Sequence, residues 1–350
     1  MASPPDAAAG RCPLCGCASQ RRLVTLRGWR VVRCGGCRLV FVWPQPTPAE
    51  LAELYSSGQY HAKVDEAERR RYFTRRLRQI EELAPSRGRI LDVGCSKGYF
   101  LDVARAAGWD AVGIDLNRNA VEEARARGLD ARQGELSVGL FEETSFDVVA
   151  LFDLLEHTCD PRSTLRLCHH FLRPGGLLVL TTPDIGGLVP RATYCVFAKT
   201  IGAWGHPTPP GHLVQFSRKT LRRAIEGSGF QIVRQRSEHI PIGYSAGKLE
   251  NAIMDVLAGR HLSRPKPQAA NGLGSECHGW LANRGHGWAS PRLRSGQGQP
   301  WHFARERNPS PFRRLPRLLV RGVCWVVVGF AGLAARATRL GDSRWVAARK

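Results

Sequence analysis

From residue 88 onward, short apolar runs alternate with stretches whose apolar side chains recur every three or four positions. Residues 88–94 (GRILDVG), 109–116 (WDAVGIDL), 146–152 (FDVVALF), 175–183 (GGLLVLTTP) and 230–236 (FQIVRQR) read as strands. Between them, residues 100–108, 117–128, 160–172 and 217–229 read as helices. Asn117, Asp160 and Ser217 sit where helix-starting caps belong, Pro161 occupies a first turn, and Gly108 and Gly128 close two of the helices. Strand–helix alternation at this spacing predicts a parallel sheet with helices on both faces. Upstream, residues 62–84 are charged, free of Gly and Pro, and stop at Pro85, as a helix would. Downstream, residues 264–312 are rich in Gly, Pro and Arg without periodicity, which predicts an irregular insert. Residues 318–335 (LLVRGVCWVVVGFAGLAA) are apolar and flanked by Arg313, Arg314, Arg317, Arg336 and Arg339. Residues 342–350 (DSRWVAARK) read as a final strand.

Charge sharpens this division. The chain of 350 residues carries a formal charge of +21, and 43% of it is apolar, enough for a packed core. Residues 91–240 hold 17 basic and 17 acidic side chains, so the centre is neutral. The excess lies at the ends, +8 over residues 1–90 and +13 over residues 241–350. Basic ends can meet phosphate on RNA or on a membrane surface, or can be solvated faces. The opening MASPPDAAAG lacks the charged and apolar regions of a secretory signal. Eleven cysteines, an odd number, suit a reducing cytoplasm better than a disulfide framework.

Four of those cysteines have metal spacing: Cys12-x2-Cys15-x18-Cys34-x2-Cys37. Four thiolates close a tetrahedral zinc site and leave no open position, so the expected role is structural. Cys17 is a spare thiol or a substitute ligand.

The turn after the first core strand, ILDVGCSKGYF from Ile90 to Phe100, carries the candidate chemistry. A dinucleotide fingerprint needs glycine at its first, third and sixth positions; here they hold Gly94, Ser96 and Tyr99. A triphosphate loop needs Gly-Lys-Ser/Thr, which is absent. Gly94 and Gly98 followed by a helix start can receive a single carboxylate, with Asp92 just before the turn. Asp115, ending the next strand, is placed to grip two ribose hydroxyls. The ligand then has an amino-acid end and a nucleoside end, as S-adenosylmethionine does.

The successive segments ILDVGCSKGYFL, VGIDLN, FDVVALFDLLEHTCDP, LRPGGLLVLTTPD and GHLVQFSRKTLRRAIEGSGF resemble the motifs of class I S-adenosylmethionine-dependent methyltransferases. The branch they look most like is that of ubiquinone and menaquinone biosynthesis and its natural-product relatives. The resemblance runs from about residue 88 to 236 and resumes at residues 341–350. It implies an α/β, Rossmann-like fold with a seven-stranded sheet whose last strand runs antiparallel. It further implies that Gly94, Cys95 and Gly98 line the methionine end above Asp92. Asp115 would bind the ribose and Leu116 would pack on the adenine. Gly134 and Glu135 stand where a Gly-Asp pair meets the adenine amino group, and Phe152 and Asp153 stand at the methyl-transfer end. Ser96 in place of Gly, and Glu135 in place of Asp, depart from the pattern.

Methyl transfer to a hydroxyl or carbon often needs a general base, and histidine suits neutral pH. His157 follows a core strand, and His212 precedes a helix where this branch shapes its acceptor pocket; either could instead brace a loop. Residues 185–211 are expected to lid that pocket, with Tyr194 and Trp204 as lining candidates.

The resulting organisation is a zinc-ribbon unit (1–45), a linker and helical cap (46–87), and a methyltransferase core (88–240). A helix and irregular insert (241–312) and an apolar helix with the closing strand (313–350) follow. The expected activity is methyl transfer to a small-molecule, lipid-linked or sugar-linked biosynthetic acceptor, at oxygen. Two alternatives stay open: an RNA methyltransferase whose ribbon holds RNA, which the neutral core disfavours, and a non-catalytic interaction module. The expected location is cytoplasmic. Residues 313–339 could pack on the core, touch a membrane peripherally, or span it; Arg321 and three glycines weigh against a span.

Overall fold

The computed structural model describes residues 10–47, 50–51, 65–260, 311–338 and 340–350. The irregular insert expected at 264–312 lies almost wholly outside them. The ribbon opens the fold with β1 (Gln20–Leu26), β2 (Trp29–Cys34) and β3 (Val40–Trp43). Helix α1 (Glu66–Glu81) follows, its first N–H groups capped by the Asp65 carboxylate.

The core then alternates as its periodicity predicts. It runs β4 (Arg89–Val93), α2 (Tyr99–Ala106), β5 (Asp110–Asp115), α3 (Arg118–Ala126), β6 (Asp130–Gln133), β7 (Phe146–Phe152), α4 (Pro161–Phe171) and β8 (Leu172–Pro183). After α5 (Leu188–Thr193), the helical path continues as a π turn and a last short turn to Ile201. There follow β9 (Val214–Gln215), α6 (Arg218–Glu226), β10 (Gln231–Glu238), α7 (Ile242–Leu257), α8 (Pro311–Thr338) and β11 (Ser343–Arg349).

Seven strands form one sheet in the order β10-β11-β8-β7-β4-β5-β6, and only β11 runs antiparallel to its neighbours. Central strands such as β7 are apolar along nearly their whole length because helices cover both faces. Each buried Leu, Val or Phe there contributes about 1.5–3 kcal/mol. Two buried ion pairs tie the periphery down. Arg76 on α1 grips both oxygens of Glu238 on β10 at 2.6 and 2.5 Å, and Arg344 on β11 meets Asp184 at 2.6 Å.

The ribbon is not a separate body. Its sheet is β1-β2-β3-β9, and the fourth strand comes from the core, with Val40 opposite Gln215 and Phe41 opposite Val214. Leu14, Val32, Leu39 and Phe41 share one apolar cluster with Leu151, Leu165, Leu213 and Phe216. The boundary expected at residue 45 is therefore a change of sheet rather than a change of core.

Candidate active site

The candidate cofactor residues converge on the carboxyl edge of β4, β5, β6 and β7, where open parallel sheets hold ligands. The β4–α2 turn is left-handed at Gly94 (φ 80°), Ser96 (φ 50°) and Gly98 (φ 75°). Gly94 and Cys95 donate their backbone N–H groups to the Ile114 carbonyl, at 2.8 and 3.1 Å, which seats the turn on β5. A Cβ on Gly94 would lie 2.9 Å from Leu154, and one on Gly98 would lie 2.6 Å from Leu129. Both glycines are thus required by packing as well as by φ. No side chain caps α2 at Gly98, so its positive end can receive a carboxylate.

Asp115 organises the turn. Its two carboxylate oxygens accept the backbone N–H groups of Ser96 and Asn117, both at 2.8 Å. The Ser96 bond helps hold a non-glycine residue at positive φ. Each Asp115 oxygen keeps a lone pair for a ribose hydroxyl. Asp92 is buried beneath; burial, and then the charge of Asp115, push its carboxyl up to about 8. Leu116 is 45% exposed although it is apolar, a shelf open to a flat ring. Gly134 is joined to Asp115 through its N–H, and Glu135 beside it is exposed. Cys95 differs from its expected place: its side chain is buried in an apolar cluster with Leu101, Val121 and Leu129. Only its backbone can line a ligand there. Phe152 stacks edge-on with Phe73 and Phe100. Asp153, at φ 50°, accepts a hydrogen bond from the Thr181 hydroxyl at 2.9 Å.

These residues fit S-adenosylmethionine: an open positive helix end for its carboxylate, acids for its ammonium and ribose, and an apolar shelf for its base. The sequence reading missed Tyr72 and Thr181 at this edge. Tyr72 reaches it from α1, stacked by Arg76 at 4.5 Å. Nothing in the local pattern around Tyr72 marks it, because it comes from a different element.

At the far side of β7, His157 and His212 come together although 55 positions separate them. Their rings cross at 85° with centroids 4.8 Å apart. Glu156, His157 and His212 present ligand-type atoms within 4.8 Å of one another. The ring nitrogen Nδ1 of His157 lies 2.8 Å from the Gly211 carbonyl, so it carries the proton and donates. Nε2 is left as the basic nitrogen. Burial lowers the affinity of His157 for a proton, so the ring is neutral at pH 7. His212 is pushed down further by burial and by His157. Glu156 is 1% exposed; burial, then Asp153, push its carboxyl up to about 8. One of its oxygens accepts from the Thr182 hydroxyl at 2.8 Å. The other has no partner among the described residues.

The expected lid residues pack elsewhere. Trp204 is 2% exposed, stacks on Tyr194 at 4.8 Å and joins Val24, Leu26 and Val31 of the ribbon sheet. They fasten residues 185–211 to the ribbon rather than line the acceptor site, since two large aromatics satisfy each other in an apolar seam.

The four spaced cysteines meet as expected. Cys12 and Cys37 sulfurs lie 3.5 Å apart, as do those of Cys15 and Cys34, and all four lie within 4.8 Å. Four thiols at Zn–S radii of ~2.3 Å need about this separation. The Cys37 N–H donates to the Cys34 sulfur at 3.4 Å, which stabilises a thiolate. Burial pushes the Cys37 thiol up to about 11, so crowding these sulfurs without a cation is unfavourable. Cys17 lies outside the group and bonds the Ser19 carbonyl.

Residues 65–235 match a family model described as a methyltransferase domain. The chain is 38% identical over 150 residues to the ubiquinone biosynthesis O-methyltransferase of Paracidovorax citrulli, covering 36% of this chain and 63% of that one. It is 29% identical over 145 residues to a Mycolicibacterium smegmatis protein named "Probable S-adenosylmethionine-dependent methyltransferase", covering 41% and 52%. The chain thus spans between half and two thirds of these curated relatives. A solved S-adenosylmethionine-dependent methyltransferase from Archaeoglobus fulgidus aligns with a TM-score of 0.43 at 14% identity, covering 80% of this chain and 94% of that one. With its sheet order, its cofactor edge and the family match in agreement, residues 65–235 form a class I S-adenosylmethionine-dependent methyltransferase domain.

Proposed function

We propose that this protein methylates a hydroxyl oxygen of a small-molecule or lipid-linked biosynthetic acceptor, with His157 as general base. The observation that carries this reading is the polarised His157 ring beside Glu156 and His212, in the turn that follows β7. When bound, S-adenosylmethionine supplies an electrophilic methyl group on a sulfonium. The chain's own residues then align and deprotonate. Asp92, Asp115 and the α2 terminus fix the donor; His157 Nε2 takes the acceptor proton as the oxygen–methyl bond forms. The Glu156 carboxyl close by, protonated near neutral pH, ionises more readily once the imidazolium forms and so offsets its charge. The acceptor class is supported by the O-methyltransferase relatives and by the neutral core. We further propose that Cys12, Cys15, Cys34 and Cys37 hold a structural zinc ion.

The test is label partition. Purified protein and methyl-labelled S-adenosylmethionine are incubated with extract separated into RNA, lipid and small-molecule fractions. Label is expected in the lipid or small-molecule fraction, lost with Asp115→Ala and reduced about 10²–10⁴-fold with His157→Ala. Label in RNA would overturn the acceptor class. Full turnover in His157→Ala would remove the base assignment.

A further inference from the structure

Among the described residues, helix α8 (Pro311–Thr338) has one side packed and the other exposed. Cys324, Val328, Ala331 and Ala335 are buried, the first three among Ala246, Leu249 and Ile253 of α7. These four positions fall within about 60° of helix circumference at 100° per residue. The opposite side carries Leu319 (67% exposed), Val323 (52%), Val326 (57%), Phe330 (73%) and Leu333 (61%). Residues 311–338 contain no acidic side chain; Arg336 stands exposed on the flank between the two sides, and Arg317, at the other end, lies on the side that faces α7. An 18-residue window within Arg317–Thr338 has a mean hydropathy of 2.0. Soluble surfaces seldom leave so long an apolar stripe in water.

We infer that α8 is a membrane-docking helix. It lies in the plane of an anionic bilayer with its bare face among the acyl chains and the flanking Arg336 at the phosphates. Three observations select this occupant. First, the buried side of α8 rests on α7, where Glu250 pairs with Arg317 at 2.9 Å, beside Arg321 at 3.9 Å. A helix with this ionic seam on one flank cannot be ringed by lipid, which argues for lying on the bilayer rather than crossing it. Second, a second copy of the chain is disfavoured by charge. Pairing two α8 helices in either direction brings together two basic helices, with no acid on either to offset the charge. Third, residues 261–310 carry seven basic and two acidic side chains, so this segment adds to the positive charge instead of neutralising it. Trp325 (46% exposed) and Tyr244 (57%) flank the stripe, as amphipathic rings do at an interface. The inference does not depend on which acceptor is methylated.

The experiment is vesicle sedimentation of the full chain with phosphatidylcholine vesicles, with and without about one third phosphatidylglycerol, at low and at ~0.15 M salt. The protein is expected to pellet with the anionic vesicles and to be weakened by salt. The pair Val326→Gln and Phe330→Gln should weaken binding about tenfold or more while circular dichroism stays unchanged. Arg336→Gln should reduce the preference for anionic lipid. Absence of pelleting would overturn the inference. A dimer in solution that the Val326→Gln and Phe330→Gln pair dissociates, without vesicle binding, would assign the face to self-association. Extraction from native membranes only by detergent, not by high salt or alkaline carbonate, would assign it to a span.

Discussion

Asp92 is a carboxyl that the fold keeps protonated near neutral pH. Its folded value of about 8 stands above the ordinary value of 3.8, chiefly through burial and then through Asp115. The folded state therefore holds a proton that the unfolded chain releases above pH ~4. This contribution to stability is complete below that pH and is lost as pH rises through 8. Asp92→Asn removes the pH-dependent penalty, so the variant should be more stable than the parent at pH 8 by a few kcal/mol, and by less at pH 5. Ligand binding should show the opposite preference. A cationic ligand favours ionised Asp92, so S-adenosylmethionine affinity should rise between pH 6 and 8 with proton release, and the slope should vanish in the variant. Calorimetry in two buffers of different ionisation enthalpy reads the released proton. A flat pH profile in the parent would show that the cofactor does not sense Asp92. Asp92 and Asp115 were legible in the sequence because each ends a strand that local periodicity defines. Tyr72 and Thr181 were not, because tertiary packing alone brings them to the same edge.

At the scale of elements, the closing strand shows what pattern can and cannot tell. Residues 342–350 look like a strand, and β11 is one, but the sequence does not say what pins it between β8 and β10. The pin is Arg344, 6% exposed, whose guanidinium meets Asp184 (1% exposed) at 2.6 Å. Asp184 also accepts the Gly186 N–H at 2.8 Å, which shapes the exit from β8. Arg344→Met keeps the volume and strands the carboxylate, so a loss of about 3–5 kcal/mol is expected. The double variant Arg344→Met with Asp184→Asn should recover much of it. Urea titration of the parent, the single variants and the double variant measures the coupling; additive losses would mean that the pair does not hold the strand. The same limit explains β9. Val214–Gln215 is two residues long and takes its identity only from β3, more than 170 positions away, so no local window could have found it. It also explains Trp204, whose aromatic character suggested a pocket wall and whose partners turned out to be ribbon side chains.

For the whole molecule, β9 joins the cysteine site to the proposed acceptor side. His212 immediately precedes Leu213, whose N–H donates to the Glu156 carbonyl at 2.8 Å and whose carbonyl accepts from Val42 of the ribbon at 2.9 Å. The ribbon strand, the acidic residue and the second histidine are therefore coupled through one backbone segment. The cofactor edge is built from β4, β5, β6 and β7, none of which pairs with β3 or β9 in the sheets. Structural zinc contributes on the order of 10 kcal/mol to the fold of small thiolate units. Its removal should unravel β1–β3 and release β9. A strong chelator, or Cys12→Ser with Cys37→Ser, should lower the melting temperature and expose Phe41 and Val214 to a hydrophobic dye. Methyl transfer should then fall by an order of magnitude or more, while S-adenosylmethionine affinity changes less than about threefold. Parallel loss of both functions would mean that the ribbon supports the entire sheet. Loss of neither would mean that the four thiols shape the ribbon without a metal. The expected split, donor binding retained and acceptor chemistry lost, follows because only the acceptor side shares its backbone with the ribbon.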